Sequence, residues 1–465
     1  MKLAKNIILY TDSYKVSMFK QYPAGTTGVY SYIESRGGHY DATVFFGLQA
    51  FIKEYLLEPI TQADIDTADA ILTAHGEPFN RVGWEYILRV HNGYLPVVIK
   101  AVPEGTVVPV KNVLATIENT DPECFWLTTW LETALLRAIW YPTTVATQSK
   151  HIKNIISEYL ERTGDPSLID FKLHDFGARG VSSLESASIG GAAHLVNFMG
   201  TDTISGILFA REYYGADMAG FSIPAAEHST ITSWERENEV EAYRNMLNQF
   251  ARPGSILAVV SDSYDIFNAA KRLWGEELRQ QVIDSGATVV IRPDSGDPEG
   301  VCCKLIQILD MKFGHTVNEK GFKVLNNVRI IQGDGVNERT IRMILGHFTV
   351  LGYSADNIAF GMGGALLQVL DRDTQKFAMK CSAAKINGAW IDVMKDPITD
   401  SGKKSKAGRV TLWKSGGDMV SSVEKPLGWT DKSIGDWEEV LVEVYRDGKL
   451  IKDYKFDEIR ANSNV

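Results

Sequence analysis

The sequence has few cysteines, no excess of positive charge and no long uninterrupted apolar run. Four cysteines in 465 residues, with no CxxC spacing, argue against a disulfide framework and indicate reduced thiols, as in a cytoplasmic protein. With 48 basic and 58 acidic residues the net charge is −10, which disfavours nucleic-acid binding but permits a local phosphate site. Because neither an HExxH motif nor a spaced Cys/His set occurs, we expect no metal held by the protein alone.

Two apolar segments were considered as targeting or membrane elements. The apolar core of the N-terminal segment is too short for a signal peptide. The most apolar stretch, residues 125–141, contains Glu132 and Arg137, so we expect a buried helix there rather than a membrane span.

Seven short apolar runs in the middle of the chain each end at a polar cluster. The runs are 171–174, 195–199, 221–223, 256–260, 289–291, 328–331 and 358–360. Most are followed by helical spacing, at 182–193, 264–274, 301–313 and 336–348. This pattern is typical of parallel βα units, whose carboxyl strand ends carry the active sites of α/β enzymes.

The two ends of the chain have a different pattern. Apolar alternation typical of strands occurs at 29–35, 95–101, 107–110, 113–117, 377–381, 390–393, 409–413 and 440–445, the last followed by a hairpin signal at 447–448. Helices are expected at 125–140 and 146–160, and a mobile loop at 395–409. We therefore predict that residues 1–165 and 376–465 form a second domain beside a barrel of residues 166–375.

Three rim clusters carry chemistry, and each has a structural alternative. Arg292 and Asp294 follow a strand. The guanidinium suits phosphate or an aromatic ring face, and the carboxylate suits sugar hydroxyls; alternatively, the two residues form a surface ion pair in a turn. The glycine clusters at 333–335 and 361–364 suit phosphate, although glycines also cap ordinary βα loops.

His228 could act as a base or as a nucleophile toward phosphorus, with Asp262 fixing its tautomer, or it is an ordinary polar residue. Its neighbours Ser229 and Thr230 could start a helix that runs to Phe250. Phe176 and Arg179 could stack a flat base and hold an anion, or be a core and a surface residue.

The motifs, taken together and in order, resemble a known family. They are TDSYKV, YSYIESR, FFGLQ, LHDFGARGVSS, HLVNFMGTDT, PAAEHSTIT, VSDSYDI, IRPDSGDP, IQGDGVN, IAFGMGGALLQ and FDEIR. They are similar to the nicotinamide phosphoribosyltransferase family of type II phosphoribosyltransferases, from about Thr11 to the C-terminus and most closely over 172–372.

The resemblance implies an α/β fold: an irregular (β/α) barrel and a second, β-rich α+β domain formed by the N- and C-terminal segments. It implies a cytoplasmic homodimer with active sites at the subunit interface. The implied reaction joins nicotinamide to phosphoribosyl pyrophosphate, giving nicotinamide mononucleotide and pyrophosphate in NAD salvage. Mg²⁺ is expected with the phosphates, and ATP is expected as a stimulating co-substrate that phosphorylates His228.

The resemblance also assigns roles to residues. The nicotinamide ring is assigned to Phe176, Asp202, Ser222, Arg292 and Tyr14, the last from the partner subunit. The phosphoribosyl group is assigned to Asp294, Gly333, Asp334, Gly363 and Gly364, together with Arg372 and Lys380 from the other subunit. Pyrophosphate and ATP are assigned to Arg36, Arg179, His228, Lys395 and Lys403. The reaction steps are assigned to His228, Asp262, Asp294 and Arg292.

Three rival functions remain at this stage. A nicotinate phosphoribosyltransferase has the same fold, but its pocket would need a cation rather than Asp202 opposite the ring substituent. A barrel glycosidase could use Asp262 and Asp294 as its two carboxylates. A binding or signalling protein could keep the fold without the chemistry.

Overall fold

The computed structural model describes residues 5–399, 404–424 and 437–464. The chain divides into two compact units. The first contains Met1–Thr147, Ala210–Ala216 and Leu370–Val465, and the second contains Gln148–Phe209 and Asp217–Val369. The predicted boundaries after residues 165 and 375 stay a prediction, and the compact units change at 147/148 and 369/370.

The second unit is built on a parallel sheet. Its six strands are, in spatial order, Gly200–Thr201, Leu173–Asp175, Ile358–Met362, Val328–Gln332, Thr288–Arg292 and Ile256–Val260. Two further parallel bridges, Gly200 with Phe221 and Ala225 with Ala258, place residues 221–225 between the two edge strands. Seven segments therefore close into a ring, and the predicted α/β barrel class is confirmed.

The bridging segment, residues 221–225, is held by two backbone hydrogen bonds on each side. Phe221 exchanges N–H···O bonds with Met199 and Thr201, at 2.7 and 3.1 Å. At the other end, Ala258 donates to Pro224 at 2.9 Å and accepts from Ala226 at 3.0 Å. This segment thus completes the ring with little regular pairing.

One of the seven predicted runs is misplaced. Residues 195–199 are not a strand, because the helix Leu184–Leu195 continues into a turn in which Phe198 N–H donates to the His194 carbonyl. The strand is the next pair, Gly200–Thr201. Leu195 and Phe198 are fully buried, so the run is apolar because it packs in the core rather than because it pairs in the sheet.

Helices connect the strands of this unit. They are Leu184–Leu195, Ile204–Tyr214, His228–Thr232, Glu239–Phe250, Ile266–Asn268 with its π-helical continuation Ala269–Glu277, Arg279–Ser285, Pro298–Phe313, Glu338–Val350 and Gly364–Leu367. Local sequence sets where the helix Pro298–Phe313 begins. Asp297 caps its N-terminus by accepting from Gly300 N–H at 2.8 Å, and Pro298 occupies the first turn. A short antiparallel pair, His315–Val317 with Lys323–Leu325, lies after it.

The first unit contains a seven-stranded sheet. Its order is Ala389–Asp392, Phe377–Ile386, Thr26–Ser35, Val113–Asn119, Val97–Ala101, Val442–Arg446 and Lys449–Leu450. Because Thr26–Ser35 pairs antiparallel with Phe377–Ile386, the two chain ends share one sheet, as predicted. The hairpin at Asp447–Gly448 is also confirmed, with φ of +48° and +84°.

Smaller elements complete the two units. Two further sheets join Thr411–Ser415 with Asp418–Ser422 and Glu438–Glu439, and Ala42–Val44 with Val107–Pro109. Other helices of the chain are Leu48–Phe51 with the π-helix Ile52–Leu56, Gln62–Ala74, Arg81–Val90, Leu127–Trp130, Glu132–Thr163 and Phe456–Ser463. Single 3-10 turns occur at Ile7–Leu9, Ser13–Lys15, Met18–Lys20, Pro122–Cys124, Pro166–Phe171, Ala178–Gly180, Arg236–Asn238, Ala355–Asn357 and Arg372–Thr374.

Four expectations from the sequence concern the helices, the thiols, a membrane span and the predicted mobile loop. The two helices expected over 125–160 are largely one, Glu132–Thr163, which continues through Pro142. The four cysteines are free thiols. Among the described residues, no helix combines the length and apolarity needed to cross a membrane. Residues 400–403 of the predicted mobile loop lie outside the described residues.

Candidate active site

The carboxyl ends of the barrel strands gather the polar residues singled out in the sequence. Asp202, Asp262, Asp294, Gly333 and Gly363 each lie one to two residues beyond a strand of the same parallel sheet. Parallel strands end at one rim, so these residues share the face that carries active sites in α/β barrels.

Phe176 and Arg292 form the centre of this rim. The Arg292 guanidinium lies over the Phe176 ring, 5.4 Å from its centroid. Two glycines make this possible: a Cβ at Gly361 would lie 1.9 Å from the Phe176 ring, and one at Gly333 would lie 3.2 Å from both side chains. Ring and guanidinium together offer a stacking surface for a flat heterocycle.

Arg292 is paired with Asp294. Its Nη2 and Nε donate to Asp294 Oδ1 at 2.6 and 3.1 Å, and both side chains are about four-fifths buried, with 19% and 20% exposed. The Arg292–Asp294 ion pair that the sequence offered as an alternative is therefore present, and it is mostly buried. The pair holds the guanidinium against the ring and leaves Asp294 Oδ2 as a further acceptor.

Asp202 and Ser222 lie at the same rim, on neighbouring segments of the ring. Ser222 Oγ donates to Asp202 Oδ1 at 2.8 Å, and both residues are exposed. The Asp202 backbone N–H donates to the Asp175 carbonyl at 2.9 Å. A carboxylate held in this way can accept further hydrogen bonds from a ligand N–H group.

His228 and Asp262 form a hydrogen-bonded pair. His228 Nε2 lies 2.9 Å from Asp262 Oδ1; the imidazole is 47% exposed, whereas the carboxylate is only 5% exposed. Burial raises the pKa of Asp262, but hydrogen bonds from Ser295 and His228 outweigh it and hold the pKa below its ordinary value. An ionised Asp262 accepts a hydrogen bond from Nε2–H, and in that tautomer Nδ1 keeps its lone pair.

The local helix at His228 is shorter than expected. The sequence predicted a helix from about residue 229 to Phe250, but the structure has His228–Thr232 and Glu239–Phe250. Between them Glu235 has a φ of +65°, a conformation that ends an α-helix. His228 is thus the first residue of a single helical turn, at its exposed end.

The two glycine clusters have different surroundings. Gly333 and Asp334 precede the 13-residue helix Glu338–Val350, which Asn337 caps. Gly363 and Gly364 open only a four-residue helix, Gly364–Leu367. A Cβ on Gly180 would lie 3.2 Å from Gly364, so the turn Ala178–Gly180, which carries the exposed Arg179, lies directly against this second loop.

The remaining predicted residues belong to the first unit. Burial lowers the pKa of Lys380, and nearby Arg36 and Lys395 lower it further. Glu132 raises the pKa of Lys380 by more than either cation lowers it, so Lys380 has an acidic neighbour as well as basic ones. Arg372 pairs with Asp373 at 3.0 Å, and Tyr14 is 56% exposed. Lys403 lies outside the described residues.

Within the described part of the chain, one group of side chains has the donor types and spacing of a metal site. It contains His91, Asp121 and Cys124, with donor atoms within 4.8 Å of one another. His91 and Asp121 already share a 2.7 Å hydrogen bond, and Cys124 is fully buried. The group belongs to the first unit.

Comparisons with known proteins assign the family. The profile of the nicotinate phosphoribosyltransferase (NAPRTase) family matches residues 171–447. The chain is a member of this family. A second profile, the N-terminal domain of nicotinamide phosphoribosyltransferase, matches residues 6–99. The chain is therefore an enzyme of the phosphoribosyltransferase class, and the resemblance read from the motifs is confirmed.

Two curated relatives and one solved structure extend the comparison. A nicotinamide phosphoribosyltransferase of Xanthomonas campestris is 58% identical over 100% of this chain and 99% of its own. One of Acinetobacter baylyi is 33% identical over 97% and 95%. The crystal structure of a nicotinate-nucleotide pyrophosphorylase from Pyrococcus furiosus has a TM-score of 0.64 at 16% identity, covering 100% and 98% of the two chains, and shares the fold.

Sequence reasoning placed Gly361 in a phosphate cluster rather than beside the ring, and it gave no role to Ser295 or Asp175. Gly361 makes room for the Phe176 ring, Ser295 donates to Asp262 Oδ2 at 2.5 Å, and Asp175 supports the Asp202 turn. A glycine inside an apolar strand is a usable signal for close approach by a neighbour. Ser295 and Asp175 carried no such signal, because their partners are distant in sequence or on the backbone.

Proposed function

We propose that this enzyme transfers the phosphoribosyl group of phosphoribosyl pyrophosphate to nicotinamide, giving nicotinamide mononucleotide and pyrophosphate for NAD salvage. The observation that carries the proposal is the carboxylate of Asp202 at the rim that holds the Phe176–Arg292 stacking surface. A carboxylate accepts a carboxamide N–H but repels the carboxylate of nicotinate. The names of the two curated relatives support the same substrate.

In the proposed reaction, the pyridine nitrogen attacks C1 of the ribose as pyrophosphate leaves. Stacking on Phe176 orients this nitrogen, which is an orientation effect because nicotinamide carries no ring proton to remove. Asp294 accepts from the ribose hydroxyls and stabilises positive charge developing on the sugar. Gly333, Asp334, Gly363 and Gly364 line the ribose and its 5′-phosphate.

The basic residues of the first unit and Arg179 are proposed to bind phosphate. By the family resemblance, Arg36, Lys395 and Lys403 act on the phosphates, and Arg372 and Lys380 do so from the other subunit. Mg²⁺ fits the rim because it prefers carboxylate oxygens, and Arg292 occupies only Oδ1 of Asp294. When bound with phosphoribosyl pyrophosphate, Mg²⁺ neutralises charge on the leaving group.

ATP is proposed to phosphorylate His228. Nδ1 attacks the γ-phosphorus, an N–P bond forms, and the bond to the bridging oxygen breaks so that ADP leaves with the electron pair. The Asp262–His228 hydrogen bond supports this step because it holds the proton on Nε2 and stabilises the imidazolium. Later hydrolysis of the N–P bond returns His228 and phosphate, and the released free energy favours nucleotide synthesis.

The enzyme is further proposed to act as a cytoplasmic homodimer, with Tyr14 of one copy covering the nicotinamide ring in the other. Two observations support this: the Tyr14 ring is largely exposed in the single chain, and all four thiols are free.

The first test is product identification. Purified enzyme is incubated with phosphoribosyl pyrophosphate, Mg²⁺ and either nicotinamide or nicotinate, with and without ATP, and the nucleotide is identified by mass. We expect nicotinamide mononucleotide, in larger amount with ATP. Nicotinate mononucleotide as the main product would overturn the role of Asp202, and no product from either base would overturn the activity.

A second test separates the histidine step from the transfer itself. Enzyme incubated with γ-labelled ATP should carry acid-labile phosphate that H228A lacks, and H228A should keep basal transfer without stimulation by ATP. The exposed His75 provides a matched control, since H75A should label like wild type. Labelling that survives in H228A would remove His228 from this step.

A further inference from the structure

Asp175 is a buried acid that the reaction described above does not use. It ends the strand Leu173–Asp175, it is 0% exposed, and it directly precedes the stacking residue Phe176. Burying a carboxyl group without a partner costs free energy of folding.

Two hydrogen bonds of Asp175, and one of its neighbour Phe176, connect this position to both sides of the proposed nicotinamide pocket. Its carbonyl accepts the Asp202 N–H at 2.9 Å, and its Oδ1 accepts the Gly177 N–H at 2.7 Å. Phe176 N–H donates to Met362, the residue paired with Asp175 on the neighbouring strand, at 3.0 Å. The turn that carries the stacking ring and the turn that carries Asp202 are therefore both attached to this one residue.

The second carboxyl oxygen, Oδ2, has no hydrogen-bond partner among the described residues, and neither has the buried Thr203 hydroxyl. Both side chains lie against the helix Leu184–Leu195 at Gly191, where a Cβ would be 3.4 Å from Oδ2 and 2.9 Å from Thr203 Cγ2. Since the helix presents a glycine here, nothing charged on it neutralises Asp175.

We propose that Asp175 is a positioning residue for nicotinamide, holding the ring turn and the Asp202 turn together and adding a second negative charge behind Asp202. The inference rests on the proposed function. The added charge strengthens the preference for a carboxamide donor over a carboxylate, because it makes the potential at Asp202 more negative.

Protonation of Asp175 provides the distinguishing readout. Burial raises the pKa of Asp175 to about 6, with the Gly177 N–H opposing this effect and the nearby charge of Asp202 adding to it. Asp202 is the charged group that faces Asp175 from the neighbouring segment; Thr203, Gly191 and Met362 contribute no charge. Asp175 is thus ionised at pH 7.5 and protonated at pH 5.

The test compares D175N, D175A and the surface control D284N by steady-state kinetics from pH 5 to 8. In wild type and D284N, the KM for nicotinamide should rise several-fold as the pH falls through about 6. D175N should show the raised KM at every pH, because it has lost the charge but keeps an oxygen for Gly177 N–H. D175A should raise the KM further, while kcat and the KM for phosphoribosyl pyrophosphate change less than about twofold.

The ratio of nicotinamide to nicotinate use gives a second measurement. D175N should use nicotinate relatively better than wild type does, and D284N should not. A D175N enzyme with the wild-type nicotinamide KM and the wild-type pH dependence would overturn the inference while leaving the proposed function intact. A wild-type enzyme that makes no nicotinamide mononucleotide would overturn the proposed function and this inference together.

Discussion

At the scale of single residues, the pocket depends on glycines as much as on charged side chains. A methyl group at Gly361 would overlap the Phe176 ring, which lies under the Arg292 guanidinium. We expect G361A to push the ring out of the stacking position and to raise the KM for nicotinamide at least tenfold.

The matched control for this substitution is G417A, because Gly417 has open space around it and no left-handed φ. Nicotinamide binding measured by calorimetry, with phosphoribosyl pyrophosphate binding as the internal reference, checks the expectation. Equal loss of both ligands in G361A would indicate a general packing defect instead.

A second residue-scale prediction concerns stability and pH. The folded-state pKa of Asp175, about 6, lies above the unfolded value of 3.8, so the folded protein prefers the neutral acid. The contribution of Asp175 to stability therefore falls as the pH rises from about 4 to 7, by up to about 3 kcal/mol at 1.36 kcal/mol for each unit.

D175N removes this titration. Urea unfolding at pH 4.5 and 7.5 should show that the variant gains stability relative to wild type as the pH rises. A constant difference between the two proteins at both pH values would show that Asp175 is not strained by its burial.

The sequence motifs predicted which residues lie at the rim better than they predicted which residues contact one another. Phe176, Arg292 and Asp294 were singled out from a strand end, and the structure brings all three together. Gly361, Ser295 and Asp175 could not be ranked from one sequence, because their importance depends on distances across the ring. Residues that act through backbone contacts leave no side-chain pattern to detect.

At the scale of elements, capping decides where the rim turns end. Asp297 closes the IRPDSGDP turn by capping the helix Pro298–Phe313, so it fixes the start of a helix that packs Leu305 and Leu309 in the core. We expect D297A to lower the free energy of unfolding by about 1 kcal/mol, whereas D297N, which keeps the acceptor, loses little. Denaturant titration with D284N as a surface control checks this.

Strand and helix predictions failed where burial, rather than pairing, made a segment apolar. Residues 195–199 are apolar because they finish a buried helix, and residues 125–160 contain one long helix whose proline did not end it. Periodicity identifies a face that avoids water but not the neighbour that covers it. The barrel strands that were placed well have polar residues directly after them, which marks their ends.

At the scale of the whole molecule, the shared sheet of the two chain ends was predictable because both ends have the alternation of strands. The closing of the ring by residues 221–225 was not, since single bridges leave no sequence pattern. Assembly is the remaining question at this scale, because the exposed Tyr14 is proposed to act in the partner's pocket.

Assembly can be tested by complementation. Y14A and D202A should each have little activity as homodimers. If the two residues serve one pocket from different copies, a heterodimer of Y14A and D202A, isolated by two affinity tags, has one intact site of two and should recover about half of wild-type activity. A heterodimer as inactive as its parents would place Tyr14 and Asp202 of the same chain in one site.

The loosely paired segment of the ring, residues 221–225, also carries Ser222, the donor to Asp202. A stretch held by two backbone hydrogen bonds on each side opens locally at lower free energy than the regular strands beside it. Amide hydrogen exchange should therefore be fastest, among the seven ring segments, at 221–225. Nicotinamide should slow exchange there most. That result would identify residues 221–225, on the amide-binding side of the pocket, as the part of the barrel that opens locally when the base enters and leaves.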